Sequence, residues 1–168
     1  MRTIIYITLF VVVFSSIQEK IYSNAKAKVG ETAWAYEVDR QAKNNPKVYV
    51  TGNEWKCNLF VYEMILDSGY DIGTPNTAGL KHLTLFFQGK NKRPPCCKDW
   101  YNVKVPGFKL IGEGEEEPGD IVTDGKHIGI IAGNEQTISA TYDEIVENDW
   151  GYRKNQKKTL KYFRYSGN

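Results

Sequence analysis

The sequence predicts a single α+β domain in which helices lead into an antiparallel sheet. Three observations carry that expectation. Apolar residues recur at helical spacing around Trp34, Val38 and Ala42, and again around Phe60, Val61, Met64 and Ile65. Beyond Pro118 the period changes to that of strands, in β-branched runs separated by turn residues. The length, 168 residues, suffices for one domain with a proper core. At 41% apolar and 25% charged the chain reads as ordinary and globular, and a net charge of +2 argues against a dedicated nucleic-acid binder. Eleven tyrosines and four tryptophans are enough to line a surface groove as well as a core.

The N-terminus reads as a leader. Arg2 gives a short positive region, and residues 4–14 form a largely apolar run, too short to span a bilayer comfortably. Ser15, Ser16, Ser23 and Ala25 supply small residues, so cleavage is expected between 14 and 25. This divides the chain into a signal peptide, 1–25, and one domain, 26–168. An uncleaved anchor is the other reading. No second apolar run reaches spanning length, so the processed protein is expected to be soluble, secreted and, by default, monomeric.

Taken in order, residues 29–45 look helical, with Ala35 beside the Trp34–Val38–Ala42 series and Asn44-Asn45-Pro46 ending it. Gly52-Asn53 turns into a second helix that carries Cys57. Thr51 and Glu54 stand three apart as in a capping box, Asn53 is a rival N-cap, and Gly69 is the stop signal. From Gly69 to Asp99 the pattern weakens. Residues 80–87 read as a short helix or an irregular apolar segment, and 89–98 as a polar, basic loop. Residues 100–105 read as a strand cut off by Pro106-Gly107. Residues 112–118 are acidic and turn-rich, with Glu113, Glu115, Glu116 and Glu117. They form either a solvated loop or a rim for a cationic group.

The strands follow: 119–122, then 127–131, a turn at Asn134-Glu135, then 137–142. Residues 143–151 suggest a short helical turn, and 160–165 alternate as a last strand. Arg153, Lys154, Lys157, Lys158, Lys161 and Arg164 make the C-terminal end basic. That is a solvated face, or a surface that draws the protein to anionic polymers.

The chemistry centres on Cys57. All three cysteines, Cys57, Cys96 and Cys97, lie beyond the leader, and an odd count in a secreted chain leaves at least one thiol unpaired. A bond between adjacent Cys96 and Cys97 closes a strained ring, and a bond from either to Cys57 would consume that thiol. No CxxC pair points to a metal. At a helix start, free N–H groups and the dipole favour thiolate over thiol, which makes Cys57 a candidate nucleophile. His127, at the head of a short β-hairpin, is the candidate base, and His82 is the alternative. A third group must fix the tautomer of that base. Ser139 on the following strand fits the position, with Asn148 and Asp149 as alternatives. The Cys57 N–H is a natural oxyanion donor.

Three runs, Trp55-Lys56-Cys57-Asn58-Leu59-Phe60-Val61, Pro118-Gly119-Asp120-Ile121-Val122 and His127-Ile128-Gly129-Ile130, resemble the signatures of the NlpC/P60 peptidase superfamily. The resemblance implies a papain-like fold with the catalytic Cys at a helix start packed on an antiparallel sheet. Its third catalytic position falls on Ser139, where many members carry His, Asn or Gln. The runs "WKCNLFVYE", "PGDIV", "HIGIIAG", "TISA" and "IVENDWGYR" further resemble the second family of type VI secretion amidase effectors. With a leader in front, the chain resembles domesticated amidase effectors, acquired by animals from bacteria and secreted as antibacterial enzymes.

What the resemblance implies is a cysteine amidase acting on bacterial peptidoglycan at the diaminopimelate–D-alanine crosslink, without metal or organic cofactor. Around the catalytic trio, Asn58, Trp55, Trp150 and Arg153 are the expected substrate contacts. The rivals are a lipid acyltransferase of a permuted branch of the fold, a non-catalytic wall binder and a general cysteine protease. In the permuted branch His precedes Cys, the reverse of the order here.

Overall fold

The computed structural model describes residues 16–74, 76–77, 87–90, 92–156 and 159–167. Among the described residues ten strands and three helices follow one another as α1 (Ile17–Lys26), β1 (Arg40–Ala42), β2 (Asn45–Val50), α2 (Cys57–Asp67), β3 (Asn76–Thr77), β4 (Lys92–Arg93), α3 (Cys97–Tyr101), β5 (Phe108–Ile111), β6 (Ile121–Thr123), β7 (Ile128–Gly133), β8 (Gln136–Ala140), β9 (Ile145–Asn148) and β10 (Lys161–Tyr165). The main sheet has six antiparallel strands in the order β5-β10-β6-β7-β8-β9, and a smaller one runs β1-β2-β4-β3. The α+β arrangement is the expected one: helices α1 and α2 lie against the sheet, chiefly over β7 and β8.

Alternation along the strands sorts the two faces. Ile128, Ile130, Ile138, Ala140 and Ile145 point to α2 and share a core with Leu59, Phe60, Val61, Met64 and Ile65. Val122, Ile131 and Tyr162 point the other way, under Trp150, Tyr152 and Leu160. Helix α2 is buried on more than one side, because Val48 and Val50 of β2 join the same core. That is why its apolar residues run nearly without interruption instead of marking a single stripe.

Helix α1 is part of this core, although its sequence lies N-terminal to the expected domain start at residue 26. Ile21 and Ala25 are fully buried. Ser16 caps the helix, accepting from Glu19 N at 3.1 Å while the Glu19 carboxylate accepts from Ser16 N at 2.7 Å. The Pro118-Gly119-Asp120 run explains how α1 is held. Gly119 has φ +93°, and a Cβ there would lie 2.1 Å from the Gln18 carbonyl oxygen, so only glycine fits. Asp120, fully buried, accepts from Gln18 Nε2 at 2.8 Å and from Arg164 of β10 at 2.8 Å. This run therefore joins α1, β6 and β10.

Several local expectations are corrected. Residues 29–45 are not a helix. Val38 is 41% exposed while Trp34 and Ala42 are buried, so their spacing by four is no helical face. Instead the backbone bonds outward: Gly30 N donates to Ile145 O and Tyr36 N to Tyr142 O. The Trp34 indole N–H and the Arg40 guanidinium both donate to the buried Glu63 of α2, at 2.6 and 2.8 Å. Asn45-Pro46 begins strand β2 rather than ending a helix.

Thr51 and Glu54 form no capping box. The N-cap of α2 is Lys56, without a side-chain cap, and Glu54 pairs with Arg93 at 2.6 Å. Asn53 is not the N-cap either; it adopts φ +60° in the preceding turn. The stop at Gly69 is where expected, with φ +96° just past Ser68. Residues 100–105 are no strand: Trp100 ends up in α3, packed edge-on against Phe108 and Phe163 at 5.0 and 5.6 Å. The basic loop 89–98 includes β4 and the start of α3. Residues 145–148 form β9 rather than a helical turn, and β5 was not foreseen. The acidic turn 112–118 and strands β6, β7, β8 and β10 stand within about two residues of where the pattern put them. Residues 80–86, with His82, and Lys157 and Lys158 lie outside the described residues, as do residues 1–15 of the expected leader. No described helix is long and apolar enough to cross a membrane.

Candidate active site

Cys57 is the first residue of α2, and its N–H has no acceptor within the helix. The preceding residue sets the helix entry. Lys56 is almost fully buried, and its Nζ donates to Ala35 O, Tyr36 O and Glu54 O at 3.0, 2.9 and 3.0 Å. Three carbonyls of the entry loop thus converge on one ammonium, in place of the side-chain cap the sequence suggested.

His127 precedes β7 and is fixed by its turn. Its N–H donates to Asp124 Oδ1 at 2.7 Å, and its carbonyl accepts from Thr123 Oγ1 at 2.6 Å. Thr123 Oγ1 in turn accepts from Gly125 N at 3.0 Å. By alternation His127 shares the face of Gly129 and Ile131, and there its ring meets the Trp150 indole edge-on at 4.6 Å.

The Cys57 sulfur, 3% exposed, lies against His127 and Cys97. Cys97 heads α3, and the two sulfurs are 3.9 Å apart; all three cysteines are free. Hydrogen bonding from the Cys97 thiol holds the Cys57 thiol well below its ordinary range. Burial opposes this, and His127 and the Ile128 N–H add to it. The same contact, with burial, pushes the Cys97 thiol up. The contact between the two sulfurs thus favours the ionised form on Cys57 over Cys97.

A cavity of about 350 Å³ opens over the Cys57 sulfur, walled by Trp55, Asn58, Cys96, Cys97, Gly125 and Lys126 beside Cys57. Trp55 is 57% exposed and belongs to an aromatic cluster with Tyr36 and Tyr142, at ring distances of 5.1 and 6.3 Å.

Of the residues foreseen from sequence, the structure brings together Cys57 and His127, with Trp55 and Asn58 on the cavity wall and Trp150 behind the His127 ring. Ser139 is fully buried on β8, on the same sheet face and next to Gly129. Among the described residues it makes no hydrogen bond to the His127 ring. The alternatives are committed elsewhere: Asn148 Oδ1 accepts from Trp150 N, and Asp149 pairs with Arg153 at 2.7 Å. Arg153 is thus an exposed ion-pair partner and not part of the cavity wall. The basic C-terminal end is likewise partly engaged, since Arg164 binds Asp120 and Lys161 Nζ donates to Tyr101 O.

Sequence reasoning missed Cys97 as a neighbour of Cys57, and Tyr36 and Tyr142 as neighbours of Trp55. An available signal for Cys97 was three cysteines with none in a metal pattern. A thiolate at a helix start, an imidazole against it and an open cleft can attack a carbonyl carbon and return a proton to the leaving group. Among the described residues no cluster of His, Cys, Asp and Glu could hold a metal ion.

The fold is shared with solved structures. One is of Rv1477, a hypothetical invasion protein of Mycobacterium tuberculosis, at TM-score 0.56 and 14% identity, covering 90% of this chain and 63% of that one. Another is of the Resuscitation Promoting Factor Interacting protein RipA carrying a mutation at one cysteine, at TM-score 0.56 and 13% identity with the same coverage. At such identities the likeness is one of fold, and the chain spans less than two thirds of either protein's length. No protein-family model and no curated protein sequence matches the chain. The shared architecture, helices packed on an antiparallel sheet, is the one the NlpC/P60 resemblance implied, and here that sheet has six strands.

Proposed function

We propose that this chain is a secreted peptidoglycan amidase that cuts peptide bonds of the bacterial wall, at the diaminopimelate–D-alanine crosslink, through a Cys57–His127 pair. The observation that carries the reading is the placement of the buried Cys57 sulfur at the start of α2, against His127, under an open cleft. The motif resemblance to NlpC/P60 peptidases and amidase effectors supports the choice of substrate, and the fold shared with RipA agrees with that family's architecture.

The Cys57 thiolate attacks the amide carbonyl carbon. The tetrahedral oxyanion forms against the unengaged N–H at the head of α2. His127 protonates the leaving amine, and water activated by the same ring releases the acyl group from sulfur. Trp55 and Asn58 on the cavity wall contact the stem peptide, and Trp150 steadies His127. No cofactor takes part, and the enzyme works as a monomer.

The leader ends before α1. Cleavage after Ser23 or Ala25 would remove Ile21 and the Gln18–Asp120 bond from the core, so the cut falls no later than Ser16. N-terminal sequencing of protein secreted from an expressing cell checks this, and a first residue beyond Ile17 would refute it.

The test of function is digestion of purified sacculi followed by mass spectrometry of the muropeptides. Loss of crosslinked dimers with new amines is the expected result, and Cys57→Ala abolishes it. Unchanged muropeptide profiles with folded wild-type protein would leave the non-catalytic wall binder as the reading.

A further inference from the structure

The mechanism needs one cysteine at the cleft, yet two sulfurs stand together there and a third, Cys96, lines the same cavity. Cys57 and Cys97 come from different helices, 40 positions apart in sequence. Their sulfurs, 3.9 Å apart, need roughly 2 Å of approach to reach bonding distance, a change on the scale of a side-chain rotation. Helix α3, which carries Cys97, is a five-residue turn behind Pro94-Pro95.

We propose that Cys57 and Cys97 are a peroxide-oxidisable pair in which Cys97 is the resolving thiol, closing a reversible disulfide across the cleft. The consequence for activity rests on the proposed role of Cys57 as nucleophile; the bond itself rests on the geometry alone.

The steps balance. The Cys57 thiolate attacks one oxygen of hydrogen peroxide and the O–O bond breaks. Sulfur gives two electrons and becomes sulfenic acid, and hydroxide leaves. The Cys97 sulfur then attacks the Cys57 sulfur. The S–O bond breaks, and the departing hydroxide takes the Cys97 proton to leave as water. Contact with Cys57 and burial together push the Cys97 thiol up, and conversion of Cys57 to a neutral sulfenic acid removes the first of these. Cys96 lines the cavity too, but it is Cys97 whose sulfur meets Cys57. A thiol at Cys97 therefore protects the nucleophile from irreversible oxidation while it is blocked.

The experiment treats reduced full-length protein with a small excess of hydrogen peroxide and then alkylates the remaining thiols. The expected count falls from three reactive thiols to one, and peptide mapping finds Cys57 joined to Cys97. Dithiothreitol restores all three. Cys96→Ser falls from two reactive thiols to none through the same Cys57–Cys97 link, whereas Cys97→Ser loses the Cys57 thiol to higher oxides that dithiothreitol does not reverse. Wall digestion by wild type falls at least tenfold as the bond forms and recovers on reduction. A Cys96–Cys97 or Cys57–Cys96 link, or a wild-type Cys57 that overoxidises as fast as in Cys97→Ser, overturns the proposal. Formation of the link in a protein with no wall-digesting activity would instead remove the proposed function and leave the pair standing.

Discussion

The indole of Trp150 stands edge-on to the imidazole of His127, with ring centroids 4.6 Å apart and planes at 82°. The contact closes the side of the ring away from the α2 core and limits its rotation. An aromatic pair of this kind is worth about 0.5–1.5 kcal/mol beyond area burial. Trp150→Ala is therefore expected to lower kcat roughly two- to twelvefold through loss of His127 orientation. Circular dichroism and kcat against KM on a soluble crosslinked muropeptide test this, and a change confined to KM would assign Trp150 to substrate contact instead.

The second prediction concerns charge on Cys57. Hydrogen bonding from Cys97 is the leading cause of its depressed thiol pKa, and His127 adds to it. Removing the donor destabilises the thiolate, so the folded pKa rises and the thiolate fraction at a fixed neutral pH falls. The rate of iodoacetamide labelling against pH is expected to shift to higher pH in Cys97→Ala and in His127→Ala. In wild type Cys57 labels before Cys96 below the ordinary thiol range. Identical profiles for wild type and Cys97→Ala would show that the sulfur contact carries no charge stabilisation.

These two residues also show what could be read from sequence. Cys57 and His127 were legible because local signals placed them, one at the head of an apolar helix and the other at the head of a β-branched strand. The fold class was legible for the same reason, through the change of period after Pro118. Cys97 was not, since its contact with Cys57 is made by tertiary packing of α3. Nor was Trp100, whose neighbours read as a strand but whose indole fills a gap between Phe108 and Phe163. Residues 29–45 misled because Trp34 and Ala42 are buried by separate contacts, with Glu63 and with β2, and no shared helical face links them.

Orientation of His127 separates two other side chains. Thr123 Oγ1 bonds the His127 carbonyl and the Gly125 N–H, whereas Ser139 has no bond to the ring. A typical intramolecular hydrogen bond contributes about 1 kcal/mol, or roughly fivefold in rate. Ser139→Ala is expected to keep kcat within about fivefold, and Thr123→Val, which keeps the shape but loses both bonds, to fall further. The reverse order would put Ser139 on the ring during turnover, as the motif resemblance implies.

Lys56 offers the sharpest test of how the site is built. Its ammonium is surrounded by the carbonyls of Ala35, Tyr36 and Glu54, which belong to the loops under Tyr36 and Trp55. Burial lowers its pKa, with Asp39 and Glu54 acting in the other direction. Lys56→Met keeps the apolar stem and removes the charge, leaving buried acceptors without a donor at about 1–3 kcal/mol for an unsatisfied group. The expected outcome is a stability loss of about 2 kcal/mol or more in urea unfolding. The Trp55 loop also loosens, so KM rises more than kcat falls, because Cys57 keeps its helix while the cavity wall moves. Were kcat to collapse with KM unchanged, the buried ammonium would be acting on the thiolate itself and not on the wall beside it.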